Sequence, residues 1–180
     1  MYYTQFKKTI DNYLLVANIE KFINPYVQLK FMGKIIEATF DRILPGEDGL
    51  DEKALAGVIS FAESNKLLPI PVRELNGMYL HLDGRHSLIY NHLAGSKSVQ
   101  LFLLNNHLDG MHNPNFPNIE TYLLRNRNEN IRQRWISAEN IFRRLNVRNY
   151  DEHFENLKQK YDFLTDLDTC KQYLRNKGLF

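Results

Sequence analysis

The chain has 180 residues, 43% of them apolar and 24% charged, and its net charge is +2. This balance is typical of a globular protein with one substantial core. A net charge so close to zero gives no overall argument for binding to nucleic acid or to a membrane. The single cysteine, Cys170, excludes an internal disulfide and a zinc site built from several cysteines.

The N-terminal residues give no sign of a targeting segment. Met1–Lys8 lacks the basic-then-apolar order of a signal peptide, and no apolar run approaches the roughly 20 residues of a membrane span. We therefore expect a soluble, cytoplasmic protein without a membrane partner.

The first quarter of the chain changes character twice. Residues 1–33 place apolar side chains at spacings of three to five, which predicts a helical arm broken near Asn24–Pro25. Lys34–Ile43 could form a first strand, although its alternation is imperfect. Pro45–Gly49 is rich in turn residues and predicts a loop.

A capped helix is predicted after this loop. Asp51 stands where an N-cap belongs, and Leu50 and Leu55 occupy the positions of a hydrophobic staple. The helix should end at residues 64–66. Its buried stripe is expected to contain Ala54, Leu55, Val58, Ile59 and Ala62.

A hairpin is predicted next. Leu68–Leu75 has the character of a strand, but Pro69 and Pro71 favour either an edge position or a pairing that spares those residues. Asn76–Gly77 is a strong signal for a two-residue hairpin turn, and Met78–Leu82 would be the returning strand.

A short helix up to Gly95 and an apolar strand, Val99–Leu104, complete this region. The order of elements predicts an α+β fold, with a small mixed sheet and helices over residues 34–106. Residues 107–180 are expected to form a helical C-terminal region.

The mild overall charge hides an Arg-rich segment. Residues 117–150 contain seven Arg and three Glu but no Lys. The side chains that could contact nucleic-acid phosphates are Arg132, Arg134, Arg143 and Arg144. The same arginines also fit a solvated helix surface, because Arg is a favourable helix former.

The residues most suited to chemistry follow the predicted hairpin. Gly84 lets the backbone turn sharply into a helix whose first N–H groups favour anions. Arg85 offers a planar fork of donors for phosphate, His86 could donate or shuttle a proton, and Ser87 could cap the helix. Asp83 could orient Arg85 or hold a hydroxyl. A plain turn followed by a capped helix explains the same residues.

The order of these motifs resembles the ParB/sulfiredoxin fold, also called the ParB-like nuclease domain superfamily. The resemblance rests on Leu68–Val72, Asn76–His86, Leu93–Gly95 and Val99–Leu101, and it covers roughly residues 40–104. The D-G-x-H motif is most similar to the kinase-like branch or to the phage and plasmid ParB-like branch.

The resemblance implies a nucleotide cofactor, ATP or CTP, held by Gly84, Arg85, His86 and Ser87. Arg85 stands where sulfiredoxins keep their reactive cysteine, so sulfinic-acid reduction is excluded. Ser87 stands where the family usually has Arg, and the loss of that charge-assisted contact would weaken phosphate binding by on the order of 1.5 to 3 kcal/mol.

An acidic stretch lies near the place where kinase-like relatives have a catalytic acid. Glu47 in this stretch could deprotonate a hydroxyl or hold Mg²⁺. Our leading hypothesis is therefore an NTP hydrolase or phosphotransferase with Asp83, His86 and Glu47 as catalytic residues. The histidines lack the spacing of a metal site, with His81 and Asp83 as the only close pair, so we expect no protein-built metal centre.

Two other functions fit the same sequence. The chain could be a DNA-binding protein or nuclease of the plasmid or phage ParB-like type, in which the Arg-rich helices add a nucleic-acid groove. It could also be a catalytically inactive interaction module, for which Ser87 in place of Arg is the best indication. A homodimer is compatible with all three functions.

Overall fold

The computed structural model describes residues 33–65, 67–105 and 131–180, and the predicted arm over 1–33 lies almost entirely outside them. The described residues form a mixed α+β structure with five strands and five α-helices. The strands are β1 Gly33–Ala38, β2 Ile43–Leu44, β3 Ile70–Leu75, β4 Met78–His81 and β5 Val99–Leu104. The helices are α1 Glu52–Glu63, α2 Arg85–Leu93, α3 Ile131–Leu145, α4 Tyr150–Lys160 and α5 Leu167–Asn176.

The five strands form one mixed sheet in the order β1-β5-β3-β4-β2. β5 is antiparallel to β1 and parallel to β3, while β4 is antiparallel to β3 and parallel to β2. Because β4 ends where β3 begins, the loop after β4 lies at the same end of the sheet as the starts of β3 and β5. This end positions the candidate site.

Both faces of the sheet are covered. On β5, Val99 and Leu101 pack towards one face, and Phe102 and Leu104 belong to the core of the other. The first face carries α1, α2, α4 and α5, and the second carries α3. The C-terminal helices therefore pack against both faces of the sheet, α4 and α5 on the first and α3 on the second.

Several local predictions are confirmed. Asp51 caps α1, since its Oδ1 accepts a hydrogen bond of 2.8 Å from the Ala54 amide. Asn76 and Gly77 both have positive φ, 53° and 76°, which is the geometry of a type I′ hairpin turn. The strand over Val99–Leu104 has the predicted bounds.

The edge position suggested by Pro71 is wrong, because β3 lies at the centre of the sheet. The alternative, a pairing that spares the proline, is correct. The Pro71 carbonyl accepts the Leu82 amide at 2.9 Å, just beyond the last β3–β4 residue pair, Val72 with His81. The missing N–H faces the same side. The carbonyl of Leu82 accepts a hydrogen bond from Arg134 Nε instead.

The first predicted strand, Lys34–Ile43, is interrupted. The first strand ends at Ala38, and a 3₁₀ turn over Phe40–Arg42 separates it from β2. This turn buries Phe40 against α4, so tertiary packing interrupts what the apolar pattern suggested was one strand.

In the part of the chain that the structure describes, no helix is long and apolar enough to cross a membrane.

Candidate functional site

The loop between β4 and α2 is the predicted strand-to-helix junction. α2 begins at Arg85 after Gly84, whose φ of 92° lies in the left-handed region that glycine adopts readily. Ser87 is the third residue of the helix, so its predicted role as N-cap is wrong. Its amide donates to the Gly84 carbonyl at 2.9 Å.

The first turn of α2 already holds an anion, the carboxylate of Glu47. The Arg85 amide donates to Glu47 Oε2 at 3.2 Å across 38 residues of sequence. This is the interaction expected between a helix N-terminus and an anionic ligand. The acidic loop of residues 46–50 therefore closes over the predicted phosphate-binding loop.

The guanidinium of Arg134, on α3, contacts the same carboxylate. Arg134 Nη2 lies 2.7 Å from Glu47 Oε1, and both side chains are only 17% exposed. Arg134 Nε also donates to the carbonyl of Leu82, the residue that follows β4. Arg134 therefore ties α3 to both loops of the site.

His81, the last residue of β4, completes the contacts of Glu47. It is fully buried, and its Nε2 lies 3.2 Å from Glu47 Oε2. Its Nδ1 accepts from the Gly46 amide at 3.3 Å, which leaves the ring hydrogen on Nε2, facing the carboxylate. We call Glu47, His81, Arg134 and the Arg85 amide the anion cluster.

The anion cluster keeps Glu47 ionised. Burial raises the pKa of Glu47, but the contact with His81 and the positive charges of Arg134 and Arg85 outweigh burial and lower the pKa to about 2. Glu47 is therefore a weak base at neutral pH and a permanent negative charge.

The Arg85 guanidinium stabilises the acidic loop by a hydrogen bond. Its Nη1 donates to the Asp48 carbonyl at 2.6 Å, while its own backbone amide holds Glu47. A guanidinium has five N–H donors, and this contact uses one of them. The side chain is partly exposed at the mouth of the site.

The structure brings the other predicted loop residues close but gives them local partners. The Gly84 amide donates to Asp83 Oδ1 at 2.5 Å. His86 is 6% exposed, and its Nε2 accepts from the Asp51 amide at 3.0 Å, which joins α2 to the start of α1. Proton transfer through Nε2 would require breaking this bond, and the catalytic role of His86 stays a prediction.

Two buried polar side chains of α4 complete the surroundings. Burial raises the pKa of Tyr150, and the Glu47 charge raises it further. Burial lowers the pKa of His153. Among the described residues neither Tyr150 Oη nor His153 Nδ1 has a hydrogen-bond partner. Of these two side chains, Tyr150 is the one whose pKa responds to the charge of Glu47.

The four arginines predicted to bind nucleic acid do not all face solvent. Arg134 points inward to the anion cluster. Arg132 and Arg144 are exposed on α3, and Arg143, 71% exposed, pairs with Glu139 on its own helix at 2.5 Å. Nucleic-acid binding by the three exposed arginines stays a prediction.

The sequence analysis did not predict that His81 and Arg134 contact Glu47. The available signal for His81 was its position at the end of a buried strand, beside the candidate loop. Arg134 gave no signal, because its contact with residue 47 depends on how α3 packs across the sheet. Within the described residues no group of three His, Cys, Asp or Glu side chains could hold a metal ion.

Comparison of the chain with protein-family models, with curated proteins and with solved structures gave no match.

Proposed function

We propose that the chain is a nucleotide-binding protein of ParB/sulfiredoxin type, which holds nucleotide phosphates at the N-terminus of α2 and hydrolyses the nucleotide or transfers its phosphoryl group. The observation that carries the proposal is the hydrogen bond that the Arg85 amide donates to the Glu47 carboxylate. The first turn of α2 binds an anion, and the one it holds is supplied by a distant loop of the same chain.

A phosphate group can replace this carboxylate. The amides of Gly84 and Ser87 bond to oxygens of the loop itself, whereas the acceptor of the Arg85 amide comes from another segment and can move away. A phosphate offers more charge than a carboxylate and three oxygens for the same donors. Arg134 and the Arg85 guanidinium then supply positive charge from two sides.

The displaced Glu47 would remain beside the phosphate because its loop is short. A carboxylate in that place can orient an attacking water or hydroxyl. Nucleotide phosphates commonly arrive with Mg²⁺, which needs only one or two protein carboxylates. Glu47 and Asp83 would be the carboxylates that hold the Mg²⁺ ion. Bound Mg²⁺ would neutralise charge that develops on the transferred group.

The test is binding of ATP, CTP, GTP and ADP, with and without Mg²⁺, followed by the midpoint of thermal unfolding. A ligand at about 100 times its Kd adds roughly 2.7 kcal/mol to stability. Arg85→Ala removes one charge-assisted contact worth on the order of 1.5 to 3 kcal/mol, so we expect about 10-fold to 100-fold weaker binding.

The matched control is Arg144→Ala, which removes an exposed arginine far along α3 and should leave nucleotide binding unchanged. An absence of any nucleotide-dependent shift in the wild-type protein would contradict the proposal. Salt-sensitive binding of duplex DNA, reduced by Arg143→Ala combined with Arg144→Ala, would then support the nucleic-acid alternative.

Glu47→Gln separates binding from turnover. The variant removes the charge that competes with phosphate while keeping the shape of the side chain, so in the absence of Mg²⁺ we expect nucleotide binding to tighten about tenfold, equivalent to roughly 1.4 kcal/mol. With Mg²⁺ present, release of inorganic phosphate should fall, because the orienting carboxylate is gone. Weaker nucleotide binding by the folded variant without Mg²⁺ would overturn the exchange of Glu47 for phosphate.

A further inference from the structure

A cavity lies at the opposite end of α2 from the anion cluster. Its volume is about 360 Å³, within the size range of small-molecule sites. It is bounded by the last turns of α1 and α2, by the segment leading into β3, and by the start of β5 beside the end of β1. None of the residues of the anion cluster lines it.

The lining contains apolar residues, which we call the floor, and polar residues, which we call the rim. Ile70 and Val99 are buried members of the floor, and Tyr90 also lines the cavity. Asn65, Asn91 and Gln100 contribute amide groups that can accept hydrogen bonds through their oxygens.

The described residues that line the cavity include one charged side chain, the carboxylate of Glu37. Glu37 lies opposite Gln100 in the β1–β5 register. Both α1 and α2 end at the cavity, and the C-terminal end of a helix carries partial negative charge. α1 has no basic side chain in its last turn, and α2 has His92, which contacts Asp151 at 3.0 Å.

We propose that this cavity binds a small organic cation, a primary amine carried on a compact apolar or aromatic body. The ammonium group would pair with Glu37 and the amide oxygens at the rim, and the body would lie on the apolar floor against Tyr90. A cation beside the Tyr90 ring also gains from the ring quadrupole. The inference is independent of nucleotide binding, since it uses the other end of α2.

The experiment is a calorimetric titration of the full chain with tyramine and with cyclohexylamine, at low ionic strength. We expect saturable binding of at least one of these amines. 4-Hydroxyphenylacetate, which has the ring of tyramine but an anionic group, should not bind. Absence of binding by both amines, or equal binding of the anion, would overturn the proposal.

Variants locate the site. Glu37 is exposed, so Glu37→Gln should fold normally and weaken amine binding at least tenfold. Glu74→Gln is the matched control, because Glu74 is an exposed acid on β3 that does not line the cavity. Arg85→Ala should leave amine binding unchanged. Equal amine affinity in Glu37→Gln and wild type would place any binding elsewhere and refute the assignment.

Discussion

Gly46→Ala should lower the free energy of unfolding by roughly 3 kcal/mol, at the upper end of the cost of overpacking. A Cβ atom on Gly46 would lie 1.8 Å from the His81 carbonyl oxygen and 2.7 Å from the Ala138 Cβ. The oxygen belongs to the backbone of β4, so the loop itself must move. That movement would also pull Glu47 away from His81 and Arg134. Urea denaturation monitored by circular dichroism measures the change.

Gly57→Ala is the matched control for this prediction. Gly57 lies inside α1, and a Cβ there meets nothing within 4 Å. Alanine is the better helix former by roughly 0.8 to 1 kcal/mol, so this variant should be at least as stable as the wild type. If Gly46→Ala were as stable as Gly57→Ala, the close approach of the acidic loop to β4 would be wrong.

The second large effect concerns Glu47 and acid. Its pKa of about 2 in the folded protein lies below the ordinary value of 4.5. A depressed pKa stabilises the fold above the ordinary value, and this contribution disappears as the pH falls through the folded pKa. A shift of this size corresponds to roughly 3 kcal/mol. We therefore expect Glu47→Gln to be less stable than the wild type by about that amount at pH 7.

The difference between the two proteins should shrink as the pH falls from about 5 and should vanish near pH 2. Glu155→Gln, on the exposed side of α4, is the control and should track the wild type at every pH. A Glu47→Gln variant as stable as the wild type at pH 7 would contradict the contacts of this carboxylate in the anion cluster. Equilibrium unfolding at a series of pH values provides the measurement.

Local sequence signals predicted much of the fold. The Asp51 cap, the Asn76–Gly77 turn and the junction at Gly84 are each specified by residues within a few positions of one another, so the chemistry of the turn or cap is readable directly. The apolar stripe of α4 was also readable, since Phe154 and Leu157 follow helical spacing and are buried.

The candidate site was only partly predictable, because its main contacts are non-local. Glu47 was selected for its acidity, but nothing in the sequence paired it with the Arg85 amide or with Arg134, 87 positions away in the chain. Arg134 was assigned to an exposed basic face because pattern alone cannot distinguish an arginine that points inward from its solvated neighbours. Such pairings depend on the crossing of α3 over the sheet.

The measurement that tests the central proposal most directly is a titration of ¹⁵N-labelled protein with ATP and with CTP, in which each backbone amide is followed by NMR. We predict that the Arg85 amide shows the largest shift with the nucleotide that binds, because its acceptor changes from the Glu47 carboxylate to a phosphate oxygen. Saturating shifts confined to α3, or no shift of Arg85 at a nucleotide concentration that saturates the protein, would contradict a phosphate site at the N-terminus of α2.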